Sequence, residues 1–423
     1  MSLVLKMESS RAIVRISLPA IASMAVETVL GFVDTYWVSR LGVEAVSAIS
    51  ASTYLLWVIF SMVDIIAVGL VSLSAYYYGR KDHSGMSKAF YTAFYSVLFL
   101  SFLISLLLIF NVSAYSLLFK IGIKGRIWLV DYLLIQGIFL PVAGLYYLMA
   151  SLYEGLGRTG KVFRSSLIVL VLNSLLDPVM IFALGLNLKG AALASVVSRA
   201  IGVVYLWAEL TFTEKGFSSS MLLKMVTIGA PSSIYWLAST GVFIYINSLA
   251  SSINPASVAA MGVGVRYEML PYIISMGISI AAAAVVGQSK GAGEFKKLEE
   301  ASVFSLKLML LISVGIGIIF FFLARPLSSL FLKGEAVNIA VMYLRISAFS
   351  QIFFSLSIVF EGIFIGMGFT AIPLSLALIL IILRIPLSHI FHSLLWIFML
   401  FPLTNMVIVL VFMLFWKFSM KKL

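Results

Sequence analysis

Long apolar runs recur along the chain with only short polar gaps between them. A helix needs ~20 apolar residues to cross the hydrocarbon core of a bilayer. Within that core, helices and closed barrels are the structures that satisfy every backbone hydrogen bond. Runs of this length predict an all-α integral membrane protein with twelve transmembrane helices. Spans are expected near residues 12–38, 45–78, 89–119, 127–152, 163–185, 189–211, 224–252, 256–287, 298–323, 337–365, 371–392 and 393–416. The last two adjoin, and Arg384 interrupts the eleventh. The first run continues to about Val38, beyond the short apolar stretch of a signal peptide, and is read as a retained span.

Composition supports the same solvent. Hydrophobic types make up 62% of the 423 residues and charged types 11%, against about a quarter charged in a soluble domain. The formal net charge of +12 does not point to nucleic acid, because the basic residues fall in the gaps between apolar runs. That is the pattern of loops facing anionic lipid. With a cytoplasmic N-terminus, 17 Lys and Arg fall inside, from Lys6, Arg11 and Arg15 to Lys417, Lys421 and Lys422, and 7 fall outside. Both termini are therefore expected in the cytoplasm, in a plasma (inner) membrane protein. The chain has no cysteine, which excludes disulfides and thiolate metal sites.

The chain also repeats itself. At an offset of 212, Pro19 meets Pro231, Ala48 meets Ala260, Gly79 meets Gly291 and Ala89 meets Ala301. At an offset of 211, Tyr132 meets Tyr343, Gly155 meets Gly366, Gly157 meets Gly368 and Thr159 meets Thr370. The polar loops repeat as well: GRKDHSGMSKAF answers GAGEFKKLEEAS. Six spans per half gives parallel repeats, an architecture used by transporters. Two six-helix lobes are expected, residues 1–212 and 213–423, joined by the polar stretch 212–220.

Ionisable groups inside spans cost roughly 2.5–3.5 kcal/mol each on insertion scales and so mark function. The first half holds Glu27, Asp34, Asp64 and Asp177, with Arg199 as its one internal cation. The second half mixes Glu268 and Glu361 with Arg266, Arg345 and Arg384, so its charges are expected to pair with one another. Unpaired acids suit a proton or another cation. Glu27 and Asp34, seven apart, share one helix face. Asn173 and Asp177, four apart, share another. Pro178 frees the carbonyl of Ser174 beside Asp177; a packing kink without a ligand role is the plain alternative. Asp34, flanked by Tyr36 and Trp37, also fits a residue at a helix end facing headgroups. Glu154 and Glu361 read as solvated helix-end acids. Catalytic motifs are lacking: there is no HExxH, GxSxG or Walker pattern. No enzymatic activity and no cofactor are expected.

The stretch EGLGRTGKVFRSSLIVLVLNSLLDPVMIFALGLNLKGAALASVVSRAIG resembles the MATE family of multidrug and toxin extrusion transporters. The likeness lies in a glycine-rich loop (Gly155, Gly157, Thr159, Lys161), an N…LDP helix (Asn173, Leu176, Asp177, Pro178) and a helix reading Gly190, Ala191, Ala192, Leu193, Ala194, Ser195. LPAIASMAVETVLGFVDTYWVSRLG resembles the family's first helix, and AAMGVGVRYEMLPYIISMGISIAAAAVVGQSKGAGEF its eighth span and following loop. The resemblance implies a V-shaped pair of six-helix bundles with pseudo-two-fold symmetry. It implies alternating access and export of small-molecule lipophilic, often cationic substrates against H⁺ or Na⁺. In the DinF-like branch the ion site maps onto Asp34, Asn173, Asp177 and, in place of the family's Thr, Ser195. These four would be the metal ligands if Na⁺ is the ion. The NorM-like branch uses acids in the seventh and tenth spans of the second lobe, and the seventh span here has none. Glu27 and Asp64 match no motif and stand as accessory acids. Tyr36, Met149 and Met276 are candidates for the substrate path, since Met and aromatic surfaces suit promiscuous binding. A monomer is expected. The alternative is a flippase for lipid-linked oligosaccharides of related architecture; a membrane enzyme or receptor fits less well.

Overall fold

The computed structural model describes residues 7–212 and 214–421, and every regular element among them is helical. Lys6 and Lys422, counted above for orientation, lie outside the described residues. The helices are α1 (Ser9–Ser39), α2 (Val43–Arg80), α3 (His83–Ser116), α4 (Ile123–Ile138), α5 (Leu140–Gly155), α6 (Thr159–Pro178), α7 (Leu188–Trp207), α8 (Ser219–Ile253), α9 (Ala256–Ala292), α10 (Phe295–Phe322), α11 (Ala324–Ser329), α12 (Glu335–Met367), α13 (Ala371–Ile382), α14 (Arg384–Ser388) and α15 (Leu394–Met420). Among the described residues, 11 helices are long and apolar enough to cross a membrane, and 12 spans result when α4 and α5 count as one bent span. The α13 and α14 pieces make one span, Ala371–Ser388, separated from α15 by a short turn. This resolves the two adjoining runs at the C-terminal end.

Two compact units form, Leu18–Gly229 and a second that joins the chain up to Ser17 with Ala230 onward. This differs from the expected division at 212/213 at the N-terminus, where residues up to Ser17 join the second unit, and at the junction, where the first unit runs on to Gly229. The first turns of α1 belong with the second unit, where Ala12, Ile13 and Ile16 are buried in its core. The first turns of α8 belong with the first unit. There the backbones come very close: a Cβ on Gly69 would lie 2.4 Å from Met225 Cα, and one on Gly229 would lie 1.9 Å from Ile65 O. Only glycine permits such an approach. Both exchanges end just before the matched prolines Pro19 and Pro231.

Within the first unit the core is built by α2, α3 and α5 around Leu70, Phe90, Leu148 and Tyr153, with a second cluster around Leu129, Leu133 and Ala192. The fourth span is bent by 57° between α4 and α5, where Pro141 opens α5. In the second unit α9 and α12 pack through small residues: a Cβ on Gly362 would lie 2.3 Å from Ser279 O. Small residues let membrane helices approach and gain dispersion energy where lipid offers no hydrophobic drive.

Helix ends reproduce the repeat. Lys81 ends α2 with a left-handed φ of 61°, and Gly293 ends α9 with a φ of 74°. Gly157 has a φ of 69° and Gly368 one of 66°. The first pair is separated by the 212 offset and the second by 211. Left-handed helix ends satisfy the last carbonyls of a helix, so the turns between spans are repeated as well as the spans.

Candidate functional site

Asp34, Asn173, Asp177 and Ser195 come together inside the first unit. Asp34 is half-buried on α1. Asn173 and Asp177 on α6 are fully buried, and Ser195 on α7 is buried. The Asp34 and Asp177 carboxyl groups lie within hydrogen-bonding reach of each other. With its amide nitrogen toward Asp34, Asn173 donates to Asp34 Oδ1 at 2.6 Å, and its carbonyl oxygen accepts from the Ser195 N–H at 3.3 Å. The opposite amide orientation would set two acceptors face to face, so the nitrogen is assigned to Asp34. The Ser195 hydroxyl lies 3.4 Å from the Asn173 amide. Asp177 Oδ1 is buried and has no hydrogen-bond partner among the described residues. A buried acceptor left unpaired costs about 1–3 kcal/mol, so this oxygen is poised for a ligand.

The backbone around Asp177, the next-to-last residue of α6, is irregular. Pro178 follows it, and the chain passes at once into a π-helical turn, Val179–Ala183. Proline removes a hydrogen bond from the ladder, and single π turns are a common feature of functional sites in membrane helices and elsewhere.

Around this pair the sequence reading missed neutral groups. Tyr132 on α4 is buried and is an electrostatic neighbour of Asp34, Asp177 and Arg199. Gln136, one turn further on, buries an Nε2 that is unpaired among the described residues. A count of ionisable residues passes over both, although a glutamine inside a span is itself a signal. Arg199 on α7 faces Glu27 and Asp34 electrostatically but makes no ion pair within 4.0 Å among the described residues. Glu27 itself is exposed on the surface of α1, near Tyr146 and Tyr147. Asp64 is half-buried on α2, away from the carboxyl pair, with Tyr147 and Glu154 as electrostatic neighbours.

The other candidates fall elsewhere. Tyr36 is 52% exposed, and its hydroxyl accepts from Arg40, whose guanidinium lies 4.9 Å from the ring centre. Met149 is fully buried in the first unit's core. Met276 is half-buried in the second unit. Lys161 of the glycine-rich loop forms an ion pair with Glu209 at 3.0 Å.

Among the described residues, neither Glu268 nor Glu361 forms the expected ion pair with Arg266, Arg345 or Arg384. Glu361 is buried rather than solvated at a helix end. It accepts from the Ser232 hydroxyl and, with both oxygens at 3.1 Å, from Trp236 Nε1. Glu268 accepts from the Ser347 hydroxyl, with Tyr343 and Gln351 in hydrogen-bonding reach. Neutral donors satisfy these acids, so no cation is required beside them.

The MatE family model matches residues 19–179 and again residues 231–390. The chain belongs to the MATE family. The double match follows the internal repeat, one copy in each half. Relatives include a probable multidrug resistance protein NorM of Agrobacterium fabrum, 25% identical over 394 residues, covering 87% of this chain and 84% of that protein. An FAD transporter of Shewanella oneidensis is 27% identical over 350 residues, covering 76% and 74%. Among solved structures, a MATE transporter in the straight conformation superposes with a TM-score of 0.90 at 21% identity, covering 99% of this chain and 98% of that one. An outward-facing multidrug resistance MATE family transporter superposes with a TM-score of 0.88 at 21% identity, covering 99% and 97%. This MATE protein is accordingly a multi-pass membrane transporter of small molecules.

Proposed function

We propose that this MATE protein is a secondary active multidrug exporter, which antiports lipophilic, often cationic compounds against H⁺ or Na⁺ by alternating access. The coupling ion is held in the first unit by Asp34, Asn173, Asp177 and Ser195. The contact between the Asp34 and Asp177 carboxyl groups carries this reading. Two carboxylates in contact repel, and a positive ion between them removes the repulsion. A shared proton does this. A Na⁺ does it too, because the donors are all oxygen and the unpaired Asp177 Oδ1 is available to it. The substitution of Ser195 for the family's threonine keeps the hydroxyl.

Relatives named for multidrug resistance and for FAD transport suggest a substrate range of multi-ring organic molecules. The absence of an acid in the span formed by α8 favours coupling in the first unit, as in the DinF-like branch. The chain works as a monomer in the plasma membrane with both termini cytoplasmic, on the distribution of Lys and Arg.

The test is efflux of a fluorescent lipophilic cation from energised vesicles under an imposed pH gradient and, separately, an imposed Na⁺ gradient. One gradient drives efflux, and Asp34→Asn loses it while reaching the membrane at normal levels. Efflux by Asp34→Asn at the wild-type rate contradicts the assignment. No efflux under either gradient contradicts the exporter reading and returns the choice to a lipid-linked oligosaccharide flippase.

A further inference from the structure

Arg384 opens α14 in the middle of the eleventh span and is only 6% exposed. A charged side chain at such a depth costs roughly 2.5–3.5 kcal/mol on insertion scales. Buried charges in membranes are ordinarily paired, yet no carboxylate lies within 4.0 Å of Arg384 among the described residues. Glu361, which shares Tyr235 with it as an electrostatic neighbour, is engaged by Ser232 and Trp236 instead.

What holds the guanidinium is neutral. Its Nε–H donates to Thr404 Oγ1 at 2.7 Å and its Nη2–H to Asn405 Oδ1 at 2.6 Å, both on α15. These acceptors are themselves fixed. Thr404 gives its own proton to Leu400 O at 2.6 Å, and Asn405 donates to Ser350 Oγ at 3.1 Å. Phe401 lies under the guanidinium, 5.0 Å from its carbon, and packs on Phe243 with ring centres 6.2 Å apart. Arginine has five N–H donors, and two are used here. The others have no protein acceptor among the described residues, and they lie in a plane held in place on two edges and one face.

A brace between the α13–α14 break and α15 needs only the two bonds to Thr404 and Asn405. A neutral amide donor would supply one or both without burying a charge. The charge, the unused donors and the aromatic platform fit a different role. We propose that Arg384 is an anion-binding site of the second unit that takes the phosphate or carboxylate group of an aromatic substrate. Planar, fixed guanidinium groups bind such oxyanions with two parallel bonds, and fixing the group beforehand reduces the ordering cost of binding. The inference rests on the transport reading and narrows it: aromatic compounds with an acidic group belong to the substrate range beside lipophilic cations.

The experiment compares riboflavin with flavin mononucleotide, which have the same ring system and differ by one phosphate. Binding to the full chain in phosphatidylcholine nanodiscs is read by flavin fluorescence without any ion gradient. A failure of ion coupling therefore shows in the efflux assay and not in this one. The wild-type protein should bind the mononucleotide about tenfold tighter, the scale of one charge-assisted pair. Arg384→Gln should bring the two affinities within about twofold of each other and leave riboflavin unchanged. Arg384→Lys, which keeps the charge but loses the fork, should retain less than half of the preference. A purely structural arginine would move both affinities together. Equal affinities in the wild type, or an undiminished preference in Arg384→Gln, overturn the proposal. Should Arg384→Gln not be recovered folded, an undiminished preference in Arg384→Lys does so. Abolition of the preference by phosphatidylglycerol in the discs would assign the site to a lipid headgroup and overturn the substrate reading.

Discussion

Glu361 in the second unit receives a hydroxyl and an indole N–H, while Asp34 and Asp177 in the first unit meet each other and leave Asp177 Oδ1 without a partner among the described residues. The two halves share one repeated pattern of spans and helix ends, yet they bury their acids by opposite means. In the second unit the negative charge is spread over neutral donors fixed by the fold. In the first it is concentrated at two carboxyl groups that face each other, and under the proposed reading this is where the exchanged cation binds. The contrast teaches that burial alone does not mark a coupling site. A buried carboxylate with its donors complete fits a structural role, and one whose donor set is incomplete fits the proposed ion site.

The comparison breaks first at the carboxyl pair. Asp34→Asn and Asp177→Asn should each reduce gradient-driven efflux to the background of empty vesicles, with normal amounts of protein in the membrane. Next in size is Glu361→Gln. The neutral side chain disturbs the bonds from Ser232 and Trp236 and should cost about 1–3 kcal/mol of stability, read as a lower melting point of the purified protein. Its efflux should keep the wild-type response to the ion gradient. Loss of that response would place a coupling role in the second unit as well and erase the contrast. A smaller effect is expected at Ser195. Ser195→Thr should preserve ion dependence, and Ser195→Ala should weaken the apparent affinity for the ion by about three- to tenfold, the value of one lost oxygen ligand. The smallest concerns Pro141. Pro141→Ala should leave efflux intact and lower the 57° bend between α4 and α5, measured by distances between spin labels on the two helices.

Much of this architecture could be read before the fold was known. Lipid demands long apolar helices, so spans are written as runs. The repeat survives in loops because the left-handed ends at Lys81 and Gly293, and at Gly157 and Gly368, impose the same turn chemistry twice. Asp34, Asn173 and Asp177 could be singled out because each is polar at membrane depth, Ser195 only through the resemblance to the MATE family, and the structure gathers the four in one place. Other features were hidden. The exchange of the first turns of α1 and α8 depends on backbone contacts at Gly69 and Gly229, and nothing in a local pattern says what a glycine touches. The bend of the fourth span interrupts no apolar run, and its counterpart in the repeat, α12, continues unbroken from Glu335 to Met367. The second unit's acids were expected to find arginines, because charges are conspicuous in apolar sequence. Their actual partners, Ser232, Trp236 and Ser347, are common residues of membrane helices that carry no such mark.

Competition between substrate and ion at equilibrium tests the central claim most directly. The affinity of the purified protein for a fluorescent lipophilic cation would be titrated against pH and against Na⁺, in the wild type and in Asp34→Asn. If the Asp34–Asp177 pair holds the coupling ion, the apparent Kd of the wild type rises steadily with either H⁺ or Na⁺ and that of Asp34→Asn does not respond. An ion dependence that survives intact in Asp34→Asn would mean that the coupling ion binds elsewhere.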